Sequence, residues 1–310
     1  MKKMNYVVAL IMLASLCGCV SGMVASGMKS AAETTAIGGE FLLHKNPKVG
    51  DYAVCKFSQK AINKAGGYVI DMLNSGTRRY EITSIKDGMI VVTMTGKIDS
   101  VKMMMNGVER DMPSTGQQAP TITEYHVDAA GKIREVWMKN EQYGVNAKFK
   151  QANPGENGYI SYRYEKKGEK MKVVAGEFDV KPAWYTTRVA TQAATFAFEA
   201  KSDVQQVNIA YVNPAVPFQK VVSHTTFYGS ASAQTTIGDK VGKLISILSL
   251  TTFIVNPAAI ATSLNPIDFI KGNINPAKAD VAKKMLGDIE IDIKDFSGSE
   301  VEYLVEYGKK

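Results

Sequence analysis

A long succession of strand-like runs extends from Phe41 to about residue 235 and limits the folds open to this chain. Apolar and polar residues alternate in these runs, which is the pattern of half-buried β-strands. Asp87-Gly88 and Asn106-Gly107 separate neighbouring runs, and such pairs favour the two-residue turns of β-hairpins. Because consecutive hairpins pair antiparallel, the sequence predicts a mainly β (α+β) fold, built on a large curved antiparallel sheet or an open barrel.

The composition changes sharply after Gly238. No charged residue occurs from Leu244 to Ile267, and the run "LISILSLTTFIV" (Leu244–Val255) is apolar nearly all round. Such a helix is usually buried, so we expect a helical segment at about 239–286, inserted into a single β-rich domain at 40–310 and packed on its sheet. The candidate apolar lid consists of Leu244, Ile245, Ile247, Leu248, Leu250, Phe253 and Ile254.

This apolar run is too short to span a bilayer comfortably. As a helix it would measure about 18 Å, against about 30 Å of hydrocarbon. A core helix, a lid and a membrane-dipping element all stay open as interpretations. Two further alternating runs, "DIEIDIKDF" and "EVEYLVEYG", follow the insertion. They predict a closing β-hairpin that rejoins the sheet.

The N-terminus carries a targeting pattern. Lys2 and Lys3 precede an apolar stretch, Val7–Leu16, which ends in Leu16-Cys17-Gly18-Cys19. This ending resembles the bacterial lipobox, in which a Leu and a small residue precede the cysteine that is lipidated. The resemblance implies a lipoprotein signal peptide at 1–18 and acyl chains on Cys19, which hold a protein on a membrane when two or more are present. An ordinary signal peptide is the alternative.

The residues around this cysteine suggest how the chain is held and sorted. In the lipoprotein pattern an Asp after the cysteine retains a protein at the inner membrane, so Val20 implies the outer membrane, facing the periplasm. Residues 19–39 are rich in Gly, Ser, Ala and Thr and lack a sustained apolar period, which predicts a flexible tether. Cys55 then remains as the one mature thiol besides Cys19, and its alternating run "DYAVCKF" predicts a buried structural residue.

A second resemblance lies in the β-rich part. "VVAGEFDVK" (Val173–Lys181), "YVNPAVPFQKVV" (Tyr211–Val222) and "VDAAGKI" (Val127–Ile133) look like a pattern in uncharacterised secreted bacterial β-proteins. The plan of a tethered curved sheet is also similar to the lipoprotein carriers of the Lol pathway. That second likeness is one of architecture, and it implies the handling of apolar ligands.

Charge and motifs exclude several other functions. The formal net charge is +7, and the basic residues form no block of the kind that binds nucleic acid. His44, His126 and His224 are isolated in the sequence, and no metal-ligand spacing, nucleophile motif or phosphate-binding glycine loop occurs. We therefore expect no catalytic residues, no metal and no cofactor.

The sequence thus favours a non-enzymatic envelope lipoprotein. It would bind an apolar or amphipathic, lipid-like ligand on the concave face of its sheet, with the membrane as partner through its acyl chains. The alternative is a structural or assembly lipoprotein that binds another envelope protein through a sheet edge. A hydrolase is the third hypothesis, and no motif supports it.

Overall fold

The computed structural model describes residues 25–65, 68–110, 121–194, 198–235 and 291–310. One short helix, α1, occupies residues 25–34. The strands are β1 Ala36–Glu40, β2 Asp51–Ala65, β3 Tyr68–Lys86, β4 Met89–Met105, β5 Val108–Arg110, β6 Thr121–Asp128, β7 Lys132–Asn140, β8 Val145–Lys148, β9 Lys150–Gln151, β10 Tyr159–Ile160, β11 Arg163–Tyr164, β12 Glu169–Val173, β13 Gly176–Ala194, β14 Phe198–Val212, β15 Lys220–Thr235 and β16 Ile291–Lys309.

These strands form one curled sheet, an open half-barrel. Its order is β10-β1-β7-β6-β4-β3-β2-β16-β15-β14-β13-β11, with β5, β8, β9 and β12 attached to β4, β7, β1 and β13. Pairing is antiparallel except where β1 meets β9 and β10. The prediction of a mainly β fold on a large curved sheet is confirmed. The two ends of the order, β10 and β11, are neighbours in the chain, so residues 158–164 reach from one end of the sheet to the other.

The predicted turns connect the predicted strands. Asp87 and Gly88 join β3 to β4, and Asn106 and Gly107 join β4 to β5. All four residues have positive φ, between 49° and 77°, as a two-residue hairpin turn of the primed type requires. Local turn chemistry therefore determined both connections and the register of the strands they join.

The predicted closing hairpin is wrong over the described residues. Ile291–Lys309 is one uninterrupted strand, β16, which lies between β15 and β2 in the middle of the sheet. The run "SGS" around Gly298 resembles a turn, but its glycine serves a different purpose. A Cβ there would lie 2.3 Å from the Lys60 carbonyl oxygen and 2.3 Å from the Phe227 ring. Gly298 thus permits a close approach inside a strand.

The predicted flexible tether at 19–39 is wrong from Ala25 onward. Residues 25–34 are helical, and the buried positions Met28, Ala31, Ala32 and Thr35 form an i, i+3, i+4, i+7 stripe. Met28 and Ala32 pack against Val136, Met138 and other side chains of β7 and β8. Small residues have the composition of a linker, but they also let a helix approach a sheet closely.

Helix α1 also covers the edge of β13. The Thr34 hydroxyl accepts a hydrogen bond from the Gln192 N–H (3.0 Å), and the Ser30 hydroxyl accepts one from the Ala194 N–H (3.0 Å). The Thr35 and Thr191 hydroxyls lie 2.8 Å apart. Unpaired strand edges attract other strands, so these contacts protect one edge of the half-barrel.

The main core lies at one end of the curl. It joins the first halves of β2 and β4 and the last third of β3 to the last part of β16 and the turn before β15. Its largest fully buried members include Ile82, Val92, Val216, Val221 and Leu304. Cys55 belongs to this core and is 1% exposed, which confirms the predicted buried thiol. The signal peptide, Cys19 and the helical segment at 239–286 lie outside the described residues.

Candidate functional site

A cavity of ≈ 220 Å³ opens on the concave face of the half-barrel. Cross-strand register explains why polar side chains meet there. Glu300 on β16 lies opposite Thr225 on β15. Thr225 in turn lies opposite Asn208 on β14, and Asn208 opposite Tyr185 on β13. The lining side chains are mostly aromatic or polar: Glu40, Phe41, Tyr80, Tyr125, Tyr162, Tyr185, Asn208, Phe218, Lys220, Ser223, Thr225, Glu300 and Glu302, with Leu42, Ile133 and Ile160.

Two cations and two carboxylates form a buried group beside the cavity, which we call the ion cluster: Arg78, Lys220, Glu300 and Glu302. The Arg78 guanidinium donates two hydrogen bonds to the Glu300 carboxylate, one of them 2.8 Å long. Lys220 Nζ lies 2.7 Å from Glu302 Oε2, and the Tyr80 hydroxyl donates to Glu302 Oε1 at 3.0 Å. The Glu302 side chain is only 4% exposed, so its partners replace the water that it loses on folding.

The cluster keeps its members charged despite burial. Burial by itself raises the pKa of Glu302, but the charges of Lys220 and Arg78, with hydrogen bonds from Lys220 and Tyr80, outweigh it and lower the pKa to about 2. For Lys220, burial lowers the pKa, while Glu302 raises it well above its ordinary value. Burial and the Glu302 charge raise the pKa of the Tyr80 hydroxyl, which stays neutral.

Aromatic rings make up much of the remaining wall. The rings pack in pairs. The distance between ring centroids is 5.0 Å for the pair Phe41–Tyr125, 5.8 Å for Tyr80–Phe218 and 5.1 Å for Tyr162–Tyr185. No hydrogen bond joins the hydroxyls of Tyr125, Tyr162 and Tyr185 to any described residue. Burial raises the pKa of all three, to about 12 for Tyr185. Three neutral phenols can therefore donate to a ligand.

A strained turn brings two of the lining residues to the cavity. Phe218 and Gln219, which immediately precede Lys220, both have left-handed backbones, with φ of 63° and 56°. Such conformations cost non-glycine residues of order 1 kcal/mol or more each and concentrate at functional sites. The Gln219 side-chain amide donates to the Leu43 carbonyl oxygen, and the buried Phe218 ring contacts Phe41 and Tyr80. These contacts hold the turn in its strained form.

The sequence did not identify this site. Leu16, Cys17, Gly18, Cys19 and the candidate lid lie outside the described residues. His44, His126 and His224 lie apart from the cavity lining. The one sequence signal was the strand parity of "EVEYLVEYG", since Glu300 and Glu302 share a face with the fully buried Leu304.

The described residues offer neither a metal-binding cluster nor a membrane-spanning helix. They contain no grouping of three or more His, Cys, Asp or Glu side chains that could hold a metal ion. Within the same residues, no helix is both long enough and apolar enough to cross a bilayer. Comparison with known proteins gives no matching family model and no matching curated protein.

Proposed function

We propose that this protein is a non-enzymatic, envelope-anchored lipoprotein that binds a small amphipathic ligand in the concave cavity. The observation that carries the proposal is a cavity whose lining combines aromatic rings with the polar and charged side chains of the ion cluster and its neighbours. Ligand sites are typically mostly apolar clefts with a few placed polar groups. At ≈ 220 Å³ the cavity is slightly below the roughly 300–1,000 Å³ of typical ligand sites. It suits a small molecule or one segment of a larger, lipid-like molecule.

Membrane anchoring through Cys19 is the second part of the proposal, with the outer membrane, facing the periplasm, as the location. Helix α1 begins at Ala25, six residues after Cys19. Six residues extend over at most about 20 Å, so an acylated Cys19 would hold the folded domain close to the membrane surface. A ligand could then pass between the bilayer and the cavity over a short distance.

Replacing Cys19 tests the anchor. We expect Cys19→Ala to lose radiolabelled palmitate and to move from the membrane to the soluble envelope fraction. Cys17→Ala is the matched control, since Cys17 would leave with the signal peptide, and it should stay labelled and membrane-bound. Membrane attachment of Cys19→Ala at the wild-type level would contradict acyl anchoring.

We further propose that the apolar segment Leu244–Val255 packs on the concave face. Residues 236–290 connect the end of β15 to the start of β16, and these two ends pair near Ala231 and Ile293. Apolar concave-face residues lie near that end of the sheet, among them Met72, Phe227 and Phe296. Because Leu244 follows the end of β15 by only nine positions, this surface is a nearby apolar partner for the segment.

Two neighbouring threonines on β15 test the binding site, because they point to opposite faces. Thr225 lines the cavity, whereas Thr226 is exposed on the convex face. We expect Thr225→Phe to fill the cavity and to weaken binding of the uncharged fluorescent probe N-phenyl-1-naphthylamine about tenfold or more, while Thr226→Phe leaves it unchanged. Fluorescence titration measures the affinity, and circular dichroism confirms that both variants fold.

Two outcomes would reject the cavity as the binding site. The first is that the wild-type protein does not bind the probe. The second is that folded Thr225→Phe binds it as well as Thr226→Phe does. The alternative, a scaffold that pairs through a sheet edge, has less support, because α1 and residues 158–164 already bond the free edge of β13.

A further inference from the structure

Among the described residues around the cavity, the carboxylates outnumber the cations, and this imbalance affects which class of ligand the cavity can bind. Within the ion cluster each carboxylate has a cation, since Arg78 bonds Glu300 and Lys220 bonds Glu302. Glu40 also lines the cavity, but no described cation lies within ion-pair distance of it. Its Oε2 accepts one hydrogen bond, from the Tyr162 N–H at 3.2 Å. Among the described residues, the cavity lining and the ion cluster together hold three carboxylates, Glu40, Glu300 and Glu302, against two cations, Arg78 and Lys220.

The aromatic wall stands next to this unpaired carboxylate. Tyr162 bonds Glu40 through its backbone N–H, and its ring meets Tyr185 edge-on with the centroids 5.1 Å apart. Aromatic faces attract ammonium groups, most strongly where water is excluded. A half-buried carboxylate beside such rings adds direct charge attraction, whereas an anionic ligand would be repelled by the same carboxylate.

The protein already holds one ammonium in this way. Lys220 Nζ lies over the Tyr80 ring, 4.7 Å from its centroid, and bonds the Glu302 carboxylate at 2.7 Å. This internal ammonium shows that the cavity chemistry accepts the combination of a ring and a carboxylate. The Lys220 charge is matched by Glu302, so it does little to repel a second cation near Glu40.

We infer that the cavity recognises an organic ammonium group, with Glu40 as its counter-ion and the Tyr162 and Tyr185 rings as its walls. The inference rests on the proposed binding function and names its ligand class. The ammonium could belong to a lipid headgroup or to a free small amine, because both present the same cation. The hydroxyls of Tyr125, Tyr162 and Tyr185, which bond no described residue, would then bond oxygen atoms next to that cation.

Three probes of similar size and different charge test the inference by calorimetry: benzyltrimethylammonium, benzyl alcohol and phenylacetate. We expect the wild-type protein to bind the cation about tenfold more tightly than the alcohol, and phenylacetate most weakly. Glu40→Gln keeps an acceptor for the Tyr162 N–H, so it should fold normally and lose about tenfold in affinity for the cation alone. Glu141→Gln, at an exposed turn, is the matched control and should bind all three probes as the wild type does.

The results distinguish a wrong ligand class from a failure of the proposed binding function. Equal or tighter binding of the alcohol or of phenylacetate overturns the ammonium assignment, as does an equal effect of Glu40→Gln on all three probes. If N-phenyl-1-naphthylamine binds in such a case, the cavity still binds ligands and only the ligand class is wrong. If the cation is preferred, dodecyltrimethylammonium binding more tightly than choline assigns the ammonium to a lipid-like molecule, and equal binding assigns it to a free amine.

Discussion

Glu302→Ala is expected to lower the free energy of unfolding by about 3–5 kcal/mol at pH 7, because removing one partner of a buried ion pair leaves the others uncompensated. Glu302 is 3% exposed and bonds Lys220 and Tyr80, with Arg78 at 3.4 Å. Its loss leaves Lys220 without a counter-ion inside the half-barrel. Urea unfolding followed by fluorescence measures the change.

The pH dependence of stability gives this prediction a second readout. The pKa of Glu302 is about 2 in the folded protein, against an ordinary 4.5. A lowered pKa stabilises the folded state above the ordinary value, and the stabilisation disappears as the pH falls from about 5 to about 2, by about 3 kcal/mol. The difference between the wild type and Glu302→Ala should therefore shrink over that range.

A control variant on the same strand distinguishes the stability contributed by the ion cluster from the effect of removing any glutamate charge. Glu306 is exposed and bonds the exposed Tyr52 hydroxyl, so Glu306→Ala should cost less than about 1 kcal/mol. A Glu302→Ala protein as stable as Glu306→Ala, or one whose deficit is the same at pH 7 and pH 3, would contradict the role given to the ion cluster.

Gly39→Ala is expected to cost about 2–4 kcal/mol and to weaken probe binding as well, because the added methyl group meets backbone that cannot move cheaply. Gly39 has a φ of +100°, and a Cβ there would lie 1.9 Å from the Ile160 carbonyl oxygen. Gly39 pairs with Ile160 where β1 meets β10. Separating the two strands would displace Ile160 and the adjacent Glu40, which both line the cavity.

Gly107→Ala is the matched control for this variant. Gly107 also has a positive φ, +77°, but no heavy atom lies within 4 Å of the position of its Cβ. Its substitution should cost only the left-handed backbone penalty, about 1 kcal/mol, and leave probe binding unchanged. Equal costs for the two variants would show that the contact of β1 with β10 carries no energetic weight.

Several elements could be predicted because their causes are local. The Asp87-Gly88 and Asn106-Gly107 hairpins follow from turn chemistry, and the burial of Cys55 follows from the alternation of its strand. Two other predictions were wrong for a shared reason. Small residues in α1 resemble a linker and Gly298 resembles a turn, but both positions are small because another element packs against them.

The mainly β class, the Asp87-Gly88 and Asn106-Gly107 hairpins and the alternation of faces in the run around Cys55 follow from the sequence alone, because they depend on periods and turns of a few residues. The meeting of Arg78, Lys220 and Glu302 in one buried cluster, in contrast, depends on the tertiary structure. Arg78 and Glu302 are 224 positions apart in the chain, and their contact exists because β16 inserts beside β2. Long-range strand order has no local signal, so the cavity and its charge emerge only when the sheet curls.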